Sequence, residues 1–113
     1  LNKTTILFCF CILLILVGCE NNVGGHAFFN QINEIENSLE DPNWDKITLQ
    51  AEELKEMYKK DKWKLQLLGD EEEYETLYES INKLIIAIEE KDRTNIRLEL
   101  SVIHTHIEDI YSL

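Results

Sequence analysis

The chain has 113 residues, 44% of them hydrophobic, with 22 acidic against 11 basic side chains and a formal net charge of −11. That length holds one domain and leaves no room for a second. The acidity excludes a nucleic-acid partner, which needs a basic face to displace counterions from phosphate, while the hydrophobic fraction is too high for a disordered acidic tail.

The first element is a short positive start at Lys3 followed by an unbroken apolar run from Ile6 to Val17. The run has 12 residues, whereas a helix that spans a bilayer needs about 20. Glu20, Asn21 and Asn22 stop it from being extended, and the layout is that of a signal peptide. Leu16-Val17-Gly18-Cys19 resembles the bacterial lipobox. The resemblance implies cleavage between Gly18 and Cys19, lipid on the Cys19 thiol, and a product held on the outer face of the cell membrane. Two or more acyl chains anchor stably where one is marginal. An uncleaved N-terminal anchor and ordinary secretion are the alternatives. Cys9 and Cys11 fall within the expected signal peptide, residues 1–18, so the product keeps only Cys19 and no internal disulfide is expected. Lys3 is the only charge before Cys19, so removing the leader leaves 22 acidic against 10 basic groups.

Residues 19–26 are expected to be the lipidated cysteine and a flexible tether, because Glu20 to His26 has no periodicity and contains the Gly24-Gly25 pair. Residues 27–113 then carry four apolar stripes at helical spacing and no convincing strand. The first runs from about Ala27 to Leu39 through Phe28, Ile32, Ile35 and Leu39. Pro42 lacks a donor and disfavours helix in the residue before it, so Glu40-Asp41-Pro42 marks a boundary, with Asp41 expected to cap the next helix and Pro42 at its first position. The second stripe is Trp44, Ile47, Ala51, Leu54, Tyr58 and Leu65, interrupted by Asp61 and ended by Gly69, read as a C′ glycine. The third helix opens on Asp70 to Glu73, whose carboxylates suit a helix N-terminus, and runs through Tyr74, Leu77, Tyr78, Ile81, Leu84, Ile85 and Ile88. The fourth begins near Asp92 and places Ile96, Leu100, Ile103, Ile107 and Ile110 on one face. Short connections turn each helix back on the last, so the expected fold is all-α, an up-and-down antiparallel four-helix bundle. A three-helix bundle with the first segment loosely docked is the alternative.

Few residues invite chemistry. His104 and His106 are two positions apart, about 200° around a helix, and do not clamp one ion. His104 with Glu108 is a better-placed pair, but it supplies two ligands where zinc takes three or four. The acidic run Asp70 to Glu75 lacks the alternating spacing and central glycine of a calcium loop. There is no Ser/His/Asp set, phosphate-cradling glycine loop or His-Glu-x-x-His, so neither enzyme, cofactor nor metal is expected. Lys55, Lys59, Lys60, Lys62 and Lys64 form a basic cluster. It is read as pairing with the acidic start of the third helix, with contact to anionic headgroups as the alternative. Trp63, Leu67, Leu98 and Val102 fall off the main stripes, and Trp63, Leu98 and Val102 are the candidate partner surface.

From Trp63 onward, Lys62-Trp63-Lys64, the Ile/Leu-rich helix from Tyr74 to Ile88, the Glu89-Glu90-Lys91-Asp92 break and the closing His104-Thr105-His106-Ile107 form a pattern, joined upstream by Trp44. It resembles a family of small helical proteins of Gram-positive bacteria classed as a domain of unknown function. The resemblance implies a helical bundle and an envelope location, and no activity. The expected role is that of a non-catalytic, lipid-tethered bundle that binds an envelope component, most naturally a membrane protein. The rival is a metal-binding or enzymatic lipoprotein using His104 and Glu108; a third reading is an electrostatic surface protein that contacts cations or wall polymers.

Overall fold

The computed structural model describes residues 3–10 and 25–112, and every regular element among them is a helix. Residues 3–10, inside the expected leader, form α1. The other helices are α2 (His26–Ser38), α3 (Trp44–Leu68), α4 (Glu71–Glu89) and α5 (Arg93–Ile110). The described helices therefore number five rather than four, residues 3–10 being helical as well. Residues 3–10 contain neither Gly nor Pro to break a helix.

Each of the four later helices buries the stripe its spacing defines. Phe28, Ile32, Ile35 and Leu39 are buried at α2, and Ile47, Ala51, Leu54, Tyr58 and Leu65 on α3. Leu77, Ile81, Leu84 and Ile88 follow on α4, and Ile96, Leu100, Ile103, Ile107 and Ile110 on α5. These side chains form a single cluster, with Trp44, Met57, Tyr74, Tyr78, Ile85 and Tyr111 packed at its margin. Because α2 contributes to that cluster as fully as the others, it is not a loosely docked extra.

The helices touch in a cycle: α2 on α3, α3 on α4, α4 on α5 and α5 back on α2. Specific contacts give the directions. Phe28 near the start of α2 lies 6.5 Å from Tyr111 just past the end of α5, and Phe29 lies 4.9 Å from His104 (ring centroids). Tyr58 in the second half of α3 stacks on Tyr78 of α4 at 5.0 Å. Gln31, buried between α2 and α3, donates to the Gln50 carbonyl at 2.8 Å and to Glu53 Oε2 at 3.3 Å.

The helix ends follow capping rules with three departures from expectation. Asp70 accepts from the Glu73 N–H at 2.8 Å, and Asp92 from the Asn95 N–H at 3.2 Å, as expected for side-chain caps. The cap of α3 is Asn43 rather than Asp41, accepting from the Lys46 N–H at 3.2 Å. The reason is local: Asn43 immediately precedes the first apolar residue of the stripe, Trp44, so the chain turns into helix two residues later than Asp41 would place it. Gly69 does end α3, but in extended backbone (φ −108°, ψ 165°), so it is not a left-handed C′ glycine. The left-handed residue is instead Lys91 (φ 55°), after α4. Around it the Lys91 N–H reaches the Ile88 carbonyl at 3.0 Å and the Asp92 N–H reaches the Ala87 carbonyl at 2.9 Å. Those two bonds are the Schellman pattern, which closes the last turn of a helix on its own free carbonyls.

Candidate functional site

Gly18 and Cys19, the expected cleavage and lipidation positions, lie outside the described residues. On α1, Ile6, Leu7, Phe8 and Phe10 are exposed, and so is the free thiol of Cys9. Among the described residues no helix is long and apolar enough to cross a membrane.

The candidate partner residues are all at the surface, with Trp63 at 61% exposure, Leu98 at 57% and Val102 at 37%, and Leu67, the other residue off the main stripes, is at 76%. They do not form one patch. Trp63 and Leu67, four residues apart, share the outer face of α3, whereas Leu98 and Val102, also four apart, share a face of α5. Helices α3 and α5 occupy opposite corners of the cycle, each packed between α2 and α4. Their outward faces therefore look in different directions.

The lysine cluster also departs from expectation. Every ion pair among the described residues lies within one helix: Lys59 to Glu56 at 3.6 Å, Lys83 to Glu79 at 3.2 Å and His104 to Glu108 at 3.5 Å. None joins α3 to the acidic start of α4. The interface between those helices is filled by aromatic rings instead, with Tyr58 stacked on Tyr78 and its hydroxyl donating to the Tyr74 carbonyl at 3.1 Å. Lys55 sits over the Tyr78 ring at 5.7 Å, while Lys59, Lys60 and Lys62 are exposed. Lys64 lies 5.8 Å from the centroid of the Trp63 ring. Burial, with smaller effects from Tyr74, Tyr78 and Glu75, pushes the Tyr58 hydroxyl above its ordinary pKa. Burial, then Asp61, does the same to Tyr111.

His104 and His106 lie on different flanks of α5. His104 is half-exposed, pairs with Glu108 and packs its ring against Phe29. His106 is half-buried, and its Nδ1 makes no hydrogen bond. Among the described residues no group of three His, Cys, Asp or Glu side chains is placed to hold a metal ion. Shallow hollows also mark the surface of the described residues. One runs between α4 and α5 beside Lys83, Ile86, Ala87, Glu90, Asn95 and Glu99. Another joins Gly25, His26 and Phe28 at the head of α2 to Asp61 and Lys64 of α3 and to Tyr111.

The family model of a domain of unknown function (DUF4363) matches residues 24–113. The chain belongs to this family. No curated protein and no solved structure matches the chain. The DUF4363 match begins just before α2 and leaves out α1, so the family domain coincides with the four helices that share one core.

Within the DUF4363 domain, three features escaped the sequence. Gln31 reads as a polar neighbour of the α2 stripe, yet it is buried and bridges to α3. The Tyr58, Tyr74 and Tyr78 group was visible only as three members of two separate stripes. The hollow at Gly25 requires residues from α2, α3 and the end of α5 to meet. A small signal for that meeting exists in Gly25 itself. It is left-handed (φ 71°), and a Cβ there would stand 2.9 Å from the Tyr111 ring.

Proposed function

We propose that the chain is the precursor of a lipoprotein, cut between Gly18 and Cys19, acylated on Cys19, and held at the outer face of the cell membrane. There it presents the DUF4363 domain as an up-and-down antiparallel four-helix bundle that binds an envelope or membrane protein without catalysing a reaction. The observation that carries this reading is the order of the parts. A lone positive charge, a 12-residue apolar run and Leu16-Val17-Gly18-Cys19 stand directly ahead of the point where the family domain begins. The exposed apolar side chains of α1 support it, since residues destined for a membrane have no need of a protein partner. The antiparallel contacts of α2 with α3 and α5, and of α3 with α4, support the bundle topology. Leu98 and Val102, exposed on α5, are assigned to the partner face, with Ile86 of α4 exposed beside the neighbouring hollow.

Mass spectrometry of the protein from bacterial membranes tests the reading. The expected N-terminal peptide starts at Cys19 and carries acyl mass, and Cys19→Ala abolishes both the processing and the acylation. An intact, unacylated N-terminus in the cytosol would overturn it. The metal-binding rival is separated by elemental analysis of the purified protein, where stoichiometric zinc or iron lost on His104→Ala would decide for the rival. Crosslinking in intact membranes tests the partner face: a specific adduct lost on Leu98→Ala is expected, and its persistence would sink that assignment.

A further inference from the structure

The C-terminal half of α3 carries two features that the lipoprotein reading leaves unexplained. Its outer face is apolar and basic together. Lys59, Trp63 and Leu67 follow one another at four-residue spacing, and Lys60 and Lys64 form the adjacent row. Trp63 and Leu67 are two of the most exposed large apolar side chains in the domain. Among the described residues Lys60, Lys62 and Lys64 make no ion pair, and Lys59 has only the exposed Glu56. The first half of the same helix sets Asp45, Glu52, Glu53 and Glu56 against Lys46 and Lys55, and the second sets Lys59, Lys60, Lys62 and Lys64 against Asp61, so net charge passes along α3 from negative to positive. A tryptophan amid lysines on one side of a helix is the composition of a segment that lies in the headgroup region of a bilayer.

The second feature is where the tether enters. Gly25 and Lys64 border the same hollow. Cys19 precedes Gly25 by six residues, and a chain of that length spans at most about 21 Å. The stretch from Lys59 to Leu67 is itself only about 12 Å long at helical rise. An acyl group on Cys19 therefore holds the bilayer surface within reach of this stretch, at the end of the domain where the start of α2 and Tyr111 also lie.

We propose that the C-terminal half of α3, through Lys59, Lys60, Trp63, Lys64 and Leu67, rests on anionic lipid headgroups of the bilayer that holds the lipid on Cys19. The proposal depends on the lipoprotein reading. Tethering turns the contact into an intramolecular one, so attraction too weak to recruit a free protein still sets the orientation of an anchored one. The carboxylates of Asp70, Glu71, Glu72, Glu73 and Glu75 open α4 at the same end of the domain. Anionic lipid repels them, which leaves α3 as the side that turns down.

The test uses the full acylated chain in vesicles of phosphatidylcholine alone or mixed with phosphatidylglycerol, each containing lipids brominated on the acyl chain. The chain has two tryptophans, so subtracting the signal of Trp63→Phe from that of the unaltered protein isolates Trp63. A Trp44→Phe chain reports the same residue directly. In phosphatidylglycerol vesicles Trp63 emission is expected to shift to the blue and be quenched several-fold more than in phosphatidylcholine. Salt and the pair Lys60→Gln with Lys64→Gln are each expected to abolish the difference, while the protein still floats with the vesicles. Water-like, unquenched Trp63 emission in floating protein would overturn the proposal, as would shielding of Trp63 in native membranes only, which would assign the face to a protein. Protein that carries no acyl mass and fails to float marks failure of the lipoprotein reading itself, and is seen before any quenching is measured.

Discussion

Replacing Gly69 by Ala separates two explanations for a glycine at the end of α3. Were Gly69 left-handed, the cost of any side chain would be backbone strain. Its φ of −108° lies where any residue is at ease, so the cost must come from space. A Cβ at this position would stand 2.9 Å from Ile110 Cγ1, 3.1 Å from Glu73 Oε2 and 3.3 Å from the Leu65 carbonyl oxygen. The Glu73 carboxylate is the far end of a flexible side chain and moves aside. Ile110, at 1% exposure, is held by the core and does not. Carbon atoms settle about 3.5–4.0 Å apart, so the contact must open by roughly 0.6 Å or more. Overpacking of this kind costs about 1–3 kcal/mol, and the reduced freedom of the unfolded chain returns about 0.4–1. The expected net loss is about 1–2 kcal/mol, read as a lower urea midpoint at unchanged slope for residues 20–113. The diagnostic is a double-mutant cycle with Ile110→Ala, which removes Cγ1 and itself costs about 2–5 kcal/mol. On that background Gly69→Ala should become neutral or stabilising. An equal penalty with and without Ile110 would refute the steric account.

Lys91→Gly should stabilise the domain by about 1 kcal/mol, because Lys91 is left-handed (φ 55°) without benefit of glycine's freedom; a thermal melt that is unchanged or lowered would show the turn to be unstrained. Ile35→Ala, at a fully buried position of α2, should cost about 2–5 kcal/mol in global unfolding, whereas a loosely docked α2 would lose its own helicity in a separate, earlier step. Tyr58 and Tyr111 have hydroxyl pKa values raised above the ordinary 10.0, chiefly by burial. The folded state thus holds these protons more tightly than the unfolded chain, so the stability they confer is complete below about pH 10 and is lost as pH climbs through the raised values. Absorbance at 295 nm should show two late-ionising tyrosines that titrate together with loss of helix by circular dichroism, and Tyr58→Phe should leave only one.

The core was legible because burial in a helix leaves a periodic trace. Ile96, Leu100, Ile103, Ile107 and Ile110 announce one face by spacing alone, and every one of them is at 0–1% exposure. The caps at Asp70 and Asp92 were legible for a similar reason, since a carboxylate just ahead of a stripe has an orphan N–H within reach. What the spacing does not carry is rotation of one helix against another. The lysine cluster and the acidic start of α4 are close enough in sequence to suggest pairing, yet Tyr58, Tyr74 and Tyr78 take the interface, with Lys55 over the Tyr78 ring and Lys59, Lys60 and Lys62 exposed. Gln31 was missed on the same ground: a flank position on α2 is buried only because α3 happens to lie against it. Lys91 eluded the pattern because its left-handed turn is imposed by the Ile88 and Ala87 carbonyls, not by its side chain.

The separation of the two surface faces constrains how an anchored domain would work. Helix α3 and helix α5 sit at opposite corners of the helical cycle, so whatever Trp63 and Leu67 rest upon, Leu98 and Val102 look away from it. A bilayer under α3 therefore leaves the α5 face open to an envelope protein standing further out, and leaves the acidic opening of α4 along the side. In this arrangement the two faces are energetically independent. Lys60→Gln with Lys64→Gln should change orientation on anionic lipid without changing partner capture at saturating partner, and Leu98→Ala should do the converse. A partner whose capture depended equally on Trp63 and Leu98 would have to wrap around α2 or α4, and the exposed polar surfaces of those helices offer little apolar contact for such a path beyond Ile86.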